Sequence, residues 1–195
     1  MSAAVTAKHT PEELLVMPDG DQFELVNGEL VEKPMGWKSS RVGGHAFRLL
    51  GNFLEANPLG RAAPADASYQ CFPDDPMKVR RPDASVVLFD RLPANLEPEG
   101  HCRVAPNLAV EVISPNDLYS EVKEKVDEYL LANVQLVWVI DPPSRSVEVY
   151  RADGTVSKIK ADGELSGEDV LPGFRCPVAA LFPSSPQPPV NGQPA

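Results

Sequence analysis

Glu111 interrupts an otherwise apolar run, Leu108-Ala-Val-Glu-Val-Ile-Ser114. A strand this apolar is expected to be buried on both faces. An ionised carboxylate buried there is expensive unless a cation or strong donor meets it. An arginine salt bridge fills that need, and so does a metal ion. Asp83 follows Arg81-Pro82 and opens the apolar run Ala84 to Phe89, while Glu24 stands between Phe23 and Leu25. Taken singly, Asp83 reads as a polar cap at a strand entrance and Glu24 as an outward-facing strand residue. A lysine changes the weighting. On a helix after Leu118, each residue turns by about 100°, which puts Val122, Val126 and Tyr129 on one stripe and Lys125 within it. Lys123 points away. A lysine on an apolar face either snorkels to water or reaches into a cleft that holds carboxylates or phosphate.

These residues need elements to carry them. Thr10-Pro11-Glu12-Glu13 predicts a capped helix start, with proline at the first helical position and acids in the first turn. Asn27-Gly28 between two apolar runs predicts a type I′ hairpin turn. Apolar spacing predicts a helix from Ser39 to Ala56, ended by Asn57-Pro58, and a second from about Leu118 to Asn133. Strands are expected at Ala67 to Phe72, Ala84 to Phe89, Leu108 to Ser114, Leu136 to Ile140, Val147 to Tyr150 and Val156 to Ile159, with Asp153-Gly154 turning the last pair. Leu108–Ser114, helix, Leu136–Ile140 reads as a parallel crossover. The expected fold class is α/β (α+β), a single domain with a mixed β-sheet flanked by helices.

Composition narrows the function. The chain has 195 residues, 43% hydrophobic and 24% charged, which suits one domain with a real core. No apolar run is long enough to span a bilayer, and Met1 to Thr10 lacks the pattern of a secretory signal. Cys71, Cys102 and Cys176 are widely spaced, which fits buried thiols and a cytoplasmic location rather than disulfides or zinc. Residues 1–9 read as a flexible leader. Residues 183–195, with five prolines and no charge, read as a disordered tail, leaving 10–182 as the domain. There is no phosphate-binding glycine loop, nucleophile elbow or H-E-x-x-H pair. His9, His45 and His101 stand in unrelated settings. With 28 acidic against 18 basic residues, the formal charge of −10 opposes non-specific coating of nucleic acid. It leaves room for an acidic site that holds a metal.

Phe23-Glu-Leu-Val-Asn-Gly-Glu-Leu30, Arg81-Pro-Asp83, Val110-Glu-Val-Ile-Ser-Pro115 and Lys125-x-x-x-Tyr129 together resemble the Uma2 family, also called DUF820. So do Trp138-Val-Ile-Asp-Pro142, Val147-Glu-Val-Tyr150 and Leu171-Pro-Gly-Phe174. The resemblance runs from about Thr10 to Phe182 and implies a restriction-endonuclease-like fold of the PD-(D/E)XK superfamily. On that resemblance Asp83, preceded by Pro82, matches the acid of the PD motif, and Glu111 matches the acid of the (D/E)-x-K motif. Ile113 stands where the superfamily lysine is usual; Lys125 on the following helix takes that place. Glu24 matches an acid of the first hairpin. Ser39 stands near where many relatives carry a histidine, and His45 is too far along to replace it.

The implied activity is that of a metal-dependent endodeoxyribonuclease. Asp83 and Glu111, with the Ile113 carbonyl, would hold Mg²⁺ or Mn²⁺. Lys125 would orient water or neutralise transition-state charge, and Glu24 would complete the metal shell or bind a metal water. Lys78, Arg80 and Arg81 offer contacts to a DNA backbone, with a solvated loop as the alternative. A homodimer is implied by analogy with related nucleases. The competing reading is a catalytically silent module of the same fold that binds nucleic acid or protein. A third is a structural domain in which Glu111 pairs with arginine.

Overall fold

The computed structural model describes residues 8–33, 36–115 and 117–183. The leader up to residue 7 and the tail from residue 184 lie outside them. At the start, α1 (Pro11–Val16) carries the expected cap, with the Thr10 hydroxyl accepting from the Glu13 N–H at 3.1 Å and the Glu13 carboxylate accepting from the Thr10 N–H at 2.9 Å. The hairpin β1 (Phe23–Val26) and β2 (Glu29–Glu32) turns at Asn27 and Gly28, with φ of 53° and 81°. Positive φ at both positions is what a type I′ turn requires.

Next comes α2 (Trp37–Ala56), and then β3 (Gly60–Pro64), β4 (Ala84–Leu88) and β5 (Leu108–Val112). After them, α3 (Tyr119–Leu131) leads into β6 (Leu136–Asp141), β7 (Ser146–Arg151) and β8 (Val156–Lys160). One six-stranded sheet runs in the order β3-β4-β5-β6-β7-β8. Its only parallel pair is β5–β6, with Glu111 opposite Val139, and the crossover between them is α3. A small antiparallel pair, β9 (Glu164–Ser166) and β10 (Arg175–Pro177), follows, and a 3-10 turn at Val178–Leu181 comes after it. This is an α+β single domain with a mixed sheet flanked by helices, as the sequence predicts.

The sheet has two covered faces. On one, Val42, Ala46, Leu50 and Leu54 of α2 pack with Val86, Val110, Trp138 and Val149. On the other, Val126 and Tyr129 of α3 pack with Ala109, Val137 and Val139. β5 is therefore buried throughout, and Glu111 with it. Where it passes Asp83, α2 is very close: a Cβ added at Gly43 would lie 3.2 Å from the Asp83 Cβ.

Three strand expectations differ. Ala67–Phe72 forms no strand and contributes only bridges from Tyr69 to Arg80 and to Cys102. Pro64, Pro73 and Pro76 bracket it, and proline removes ladder donors. β3 escapes the pattern because Gly-Arg-Ala-Ala-Pro has no β-branched or aromatic residue. β9 and β10 are only three residues each, too short for a periodic signal. All three thiols are free, but only Cys176 is fully buried; Cys71 and Cys102 are half-buried.

Candidate active site

One cleft of about 340 Å³ is lined by Glu24, Lys33, Ser39, Asp83, Glu111, Ile113 and Lys125, among others. All five residues singled out in the sequence thus meet at one place. Four elements bring them together. Glu24 comes from β1, Asp83 stands just before β4, Glu111 lies in β5, and Lys125 extends from α3. The helical phase of α3 is as expected: Lys125 enters the cleft, while Lys123 lies on the exposed side and pairs with Asp127.

Asp83 is tied at both oxygens. Oδ2 accepts from the Val112 N–H at 2.7 Å, and Oδ1 meets the Lys33 ammonium at 2.9 Å. Lys33 also donates to the Arg81 carbonyl at 2.6 Å. On the other side, Glu111 Oε1 accepts from the Tyr129 hydroxyl at 2.8 Å and Oε2 lies 3.7 Å from Lys125 Nζ. Burial raises the Glu111 pKa; the nearby Lys125 opposes this, while the charge of Asp83 adds to it, and the net direction is up. Lys125 shows the opposite balance. Burial alone would lower its pKa, but Glu111 and Glu24 outweigh that and keep the ammonium charged. Burial and the same two carboxylates hold the Tyr129 phenol protonated, as its donor role requires.

Glu24 is not the outward-facing strand residue that its flanks suggest, being only 1% exposed. Oε1 accepts from the Arg81 N–H at 2.9 Å, and Oε2 receives Lys125 at 3.0 Å and Arg80 at 2.9 Å. Burial acts to raise its pKa, but Lys125, Arg80 and the Arg81 N–H prevail and lower it to about 2. Beyond it lies a chain of charge that is buried as far as Lys78 and ends at the exposed Asp74. Arg80 Nε donates to Glu128 at 2.7 Å, Glu128 meets Lys78 at 2.8 Å, and Lys78 meets Asp74 at 3.2 Å.

That chain corrects the expectation for Lys78, Arg80 and Arg81. They neither face a DNA backbone nor form a solvated loop. Each is at most 5% exposed. Arg81 points its guanidinium at the carbonyls of Phe23, Asp66 and Gly20. Their spacing failed as a guide because this segment is threaded between the hairpin and α3, where acids from both elements meet it.

Four contributors were not legible as such. Lys33 looks like an ordinary hairpin-end charge, Arg80 like part of a surface cluster, and Glu128 like the polar side of a helix. Tyr129 was readable only as an apolar packing residue, although its i, i+4 relation to Lys125 puts both over Glu111. Ser39 does reach the cleft wall, where its hydroxyl accepts from the Ser114 hydroxyl at 3.0 Å. Among the described residues, no three His, Cys, Asp or Glu side chains cluster as a metal cage.

The donors that are present suit a hard cation that keeps most of its own water, which one or two carboxylates suffice to bind. Ile113 adds a backbone oxygen. Its N–H donates to the Ile140 carbonyl in the parallel ladder, so the next donor along the ladder would be residue 142. That residue is Pro142, which has no N–H to give. The residues therefore fit a hard divalent cation, although it must compete with Lys33 for Asp83.

A mixed sheet with a helix over each face and an acid-lysine cleft at the end of its parallel pair defines an α+β protein with one candidate site. The chain belongs to the Uma2 family, described as "putative restriction endonuclease", which matches residues 11–179. Its fold is shared with the crystal structure of "a putative nuclease belonging to DUF820" from Anabaena variabilis ATCC 29413. That structure is 23% identical, with a TM-score of 0.74, covering 89% of this chain and 97% of that one. No curated protein matches the sequence. Among the described residues, no helix is long and apolar enough to cross a membrane.

Proposed function

We propose that this chain is a metal-dependent endodeoxyribonuclease. The observation that carries the reading is the meeting of Asp83, Glu111 and a charged, buried Lys125 in one cleft. Asp83, Glu111 and the Ile113 carbonyl would hold Mg²⁺ or Mn²⁺. When bound, such a cation supplies Lewis-acid polarisation of the phosphate and lowers the pKa of a bound water. Lys125 stands ready to hydrogen-bond the attacking water or to neutralise charge that develops on the phosphoryl oxygens. Tyr129 fixes one oxygen of Glu111 and leaves the other facing Lys125. Glu24 positions Lys125 rather than binding metal, because its oxygens already receive three donors. A homodimer would offer two clefts for two strands, and the three free thiols agree with a cytoplasmic setting.

One observation favours the silent-module alternative: lysine ammoniums already meet both of the acids proposed to hold the metal. Cleavage of plasmid and linear DNA with Mg²⁺ or Mn²⁺, against EDTA, separates the two. Wild type is expected to cut, while Asp83→Asn and Lys125→Ala are expected to be inactive and Lys123→Ala to match wild type. Cutting that survives Asp83→Asn, or that no divalent ion supports, defeats the enzyme reading. Lys125→Ala is also expected to lose roughly 1–3 kcal/mol of stability, since it strips a partner from two buried carboxylates. A lysine that merely snorkelled would cost nothing.

A further inference from the structure

Two lysines reach the cleft, and they are held in different ways. Lys125 Nζ lies 3.0 Å from Glu24 and 3.7 Å from Glu111, so it keeps a carboxylate partner even when a cation takes Glu111. Lys33 has no such second acid. Among the described residues its sole acidic partner is Asp83 Oδ1, at 2.9 Å, and its other bond goes to the Arg81 carbonyl, at 2.6 Å. An ammonium carries three donors. These two contacts therefore leave one N–H of Lys33 uncommitted at the cleft wall.

Asp83 does not depend on that lysine for its orientation. Its Oδ2 is fixed by the Val112 N–H of β5 at 2.7 Å, and only Oδ1 is held by a side chain. The charges of the cleft point the same way. Glu24, Asp83 and Glu111 are set against Lys33, Arg80 and Lys125, acid for cation. The other charged residues of the lining are all acids: Glu32, Asp117, Glu121 and Glu124. From its own residues the cleft has no positive charge to spare for a phosphate, and its field repels one. With a divalent cation on Asp83 Oδ1, two positive charges are added and a third, the Lys33 ammonium, is released from its acid.

We infer that Lys33 is a phosphate-binding residue held in reserve: it neutralises Asp83 until a divalent cation takes Oδ1, and then donates to a non-bridging oxygen of the substrate phosphodiester. The inference rests on the nuclease reading above and deepens it, naming a residue that touches substrate and the order in which the cleft is loaded. The Arg81 carbonyl tethers the ammonium at the wall, so Lys33 can turn from Asp83 to the anion and keep one bond throughout. Cation and phosphodiester then bind with positive coupling, each raising the affinity of the other by the same factor. An acidic chain in this way admits an anion only after a cation has preceded it.

The coupling can be read without catalysis. Free Mn²⁺ is measured by electron paramagnetic resonance in titrations of full-length wild type, Lys33→Met, Lys33→Gln and the control Arg103→Met. Each titration is run with and without dimethyl phosphate, the simplest phosphodiester. Arg103 is exposed and lies outside the cleft. In wild type, dimethyl phosphate is expected to tighten Mn²⁺ binding by about fivefold or more. Lys33→Met is expected to bind Mn²⁺ alone several-fold more tightly than wild type, and to show an enhancement of less than about twofold. Lys33→Gln can still donate to the Arg81 carbonyl and should behave in the same way, so a folding defect in one variant does not decide the result. Arg103→Met should match wild type. No enhancement in wild type, full enhancement in both Lys33 variants, or weaker Mn²⁺ binding in both overturns the inference. An equal loss in Arg103→Met also overturns it, since the attraction would then be diffuse. In each of these cases, metal-dependent DNA cleavage by wild type would leave the nuclease reading standing. A wild type that neither binds Mn²⁺ nor cuts DNA defeats both.

Discussion

Lys78, Arg80 and Arg81 on one segment and Lys38, Arg41 and Arg48 on another are similar runs of cations, and folding treats them in opposite ways. The first run is buried and matched, cation by cation, to Glu24, Glu128, Asp74 or backbone carbonyls. The second is on the surface of α2, where none of the three cations has an acidic partner among the described residues. Charge in a sequence therefore has two uses, and position decides between them. Buried cations hold the site's own carboxylates in place, whereas unpaired ones remain free for something outside.

The sharpest way to break this contrast is Arg80→Met. It strands Glu24 and Glu128 without their shared guanidinium, and removal of one partner from a buried ion network costs about 3–5 kcal/mol. Urea unfolding should show that loss. If Arg80→Met is as stable as wild type, the network is ornamental and Glu24 is held by other means. A second effect, almost as large, concerns pH. Glu24 has a folded pKa near 2 against an ordinary value of 4.5, so its contribution is complete above 4.5 and is lost as pH falls toward 2. That is worth about 3 kcal/mol across the window. Glu111 carries the opposite sign: its raised pKa opposes folding once it ionises, and the penalty lifts as pH falls. Stability against pH for Glu24→Gln should accordingly have a flatter acid limb than wild type. An equally steep limb would assign the acid sensitivity elsewhere.

How much of this was legible beforehand follows from what kind of signal each part leaves. Helix α2, the Asn27-Gly28 turn and strands β4 to β8 declare themselves by period and turn chemistry, which are local. The cleft was legible because Glu111 breaks an apolar run and Lys125 breaks an apolar stripe, and such violations mark functional positions. Lys33, Arg80 and Glu128 obey their local patterns and so left no mark. Their partners lie 48 or more residues away along the chain, as for Lys33 with the Arg81 carbonyl and Arg80 with Glu128. No reading of neighbours can supply such a pairing. The same limit misplaced Lys78 and Arg81, whose charge reads as exposed until the hairpin is folded over them.

A third, smaller effect tests Lys33. Its ammonium occupies Asp83 Oδ1 at 2.9 Å, where a divalent cation would also bind. Lys33→Met removes the competitor and one positive charge from the cleft, so Mn²⁺ should bind more tightly, by roughly 1 kcal/mol, or several-fold, as for a partly screened ion pair. Isothermal calorimetry reads this directly, with Asp83→Asn as the variant that should not bind. Weaker binding in Lys33→Met would mean that the lysine orients Asp83 for the metal rather than competing with it.

The smallest effect is expected on the other side of the comparison. Arg41→Ala removes a side chain that has no acidic partner among the described residues and stands on the face of α2 turned from the core. Nothing buried is left unsatisfied and no cavity opens. Alanine is also the better helix former, which offsets the little packing that the arginine stem provides. Unfolding stability should therefore stay within about 0.5 kcal/mol of wild type, the range of surface substitutions away from special features. The same holds for Lys38→Ala. Measured beside Arg80→Met under one set of conditions, the pair should differ by several kcal/mol even though both replace an arginine in a basic run. A loss of about 2 kcal/mol or more in Arg41→Ala would show that the α2 run is structural. Its cations would then already be engaged, and the contrast with the Arg80 network would fail.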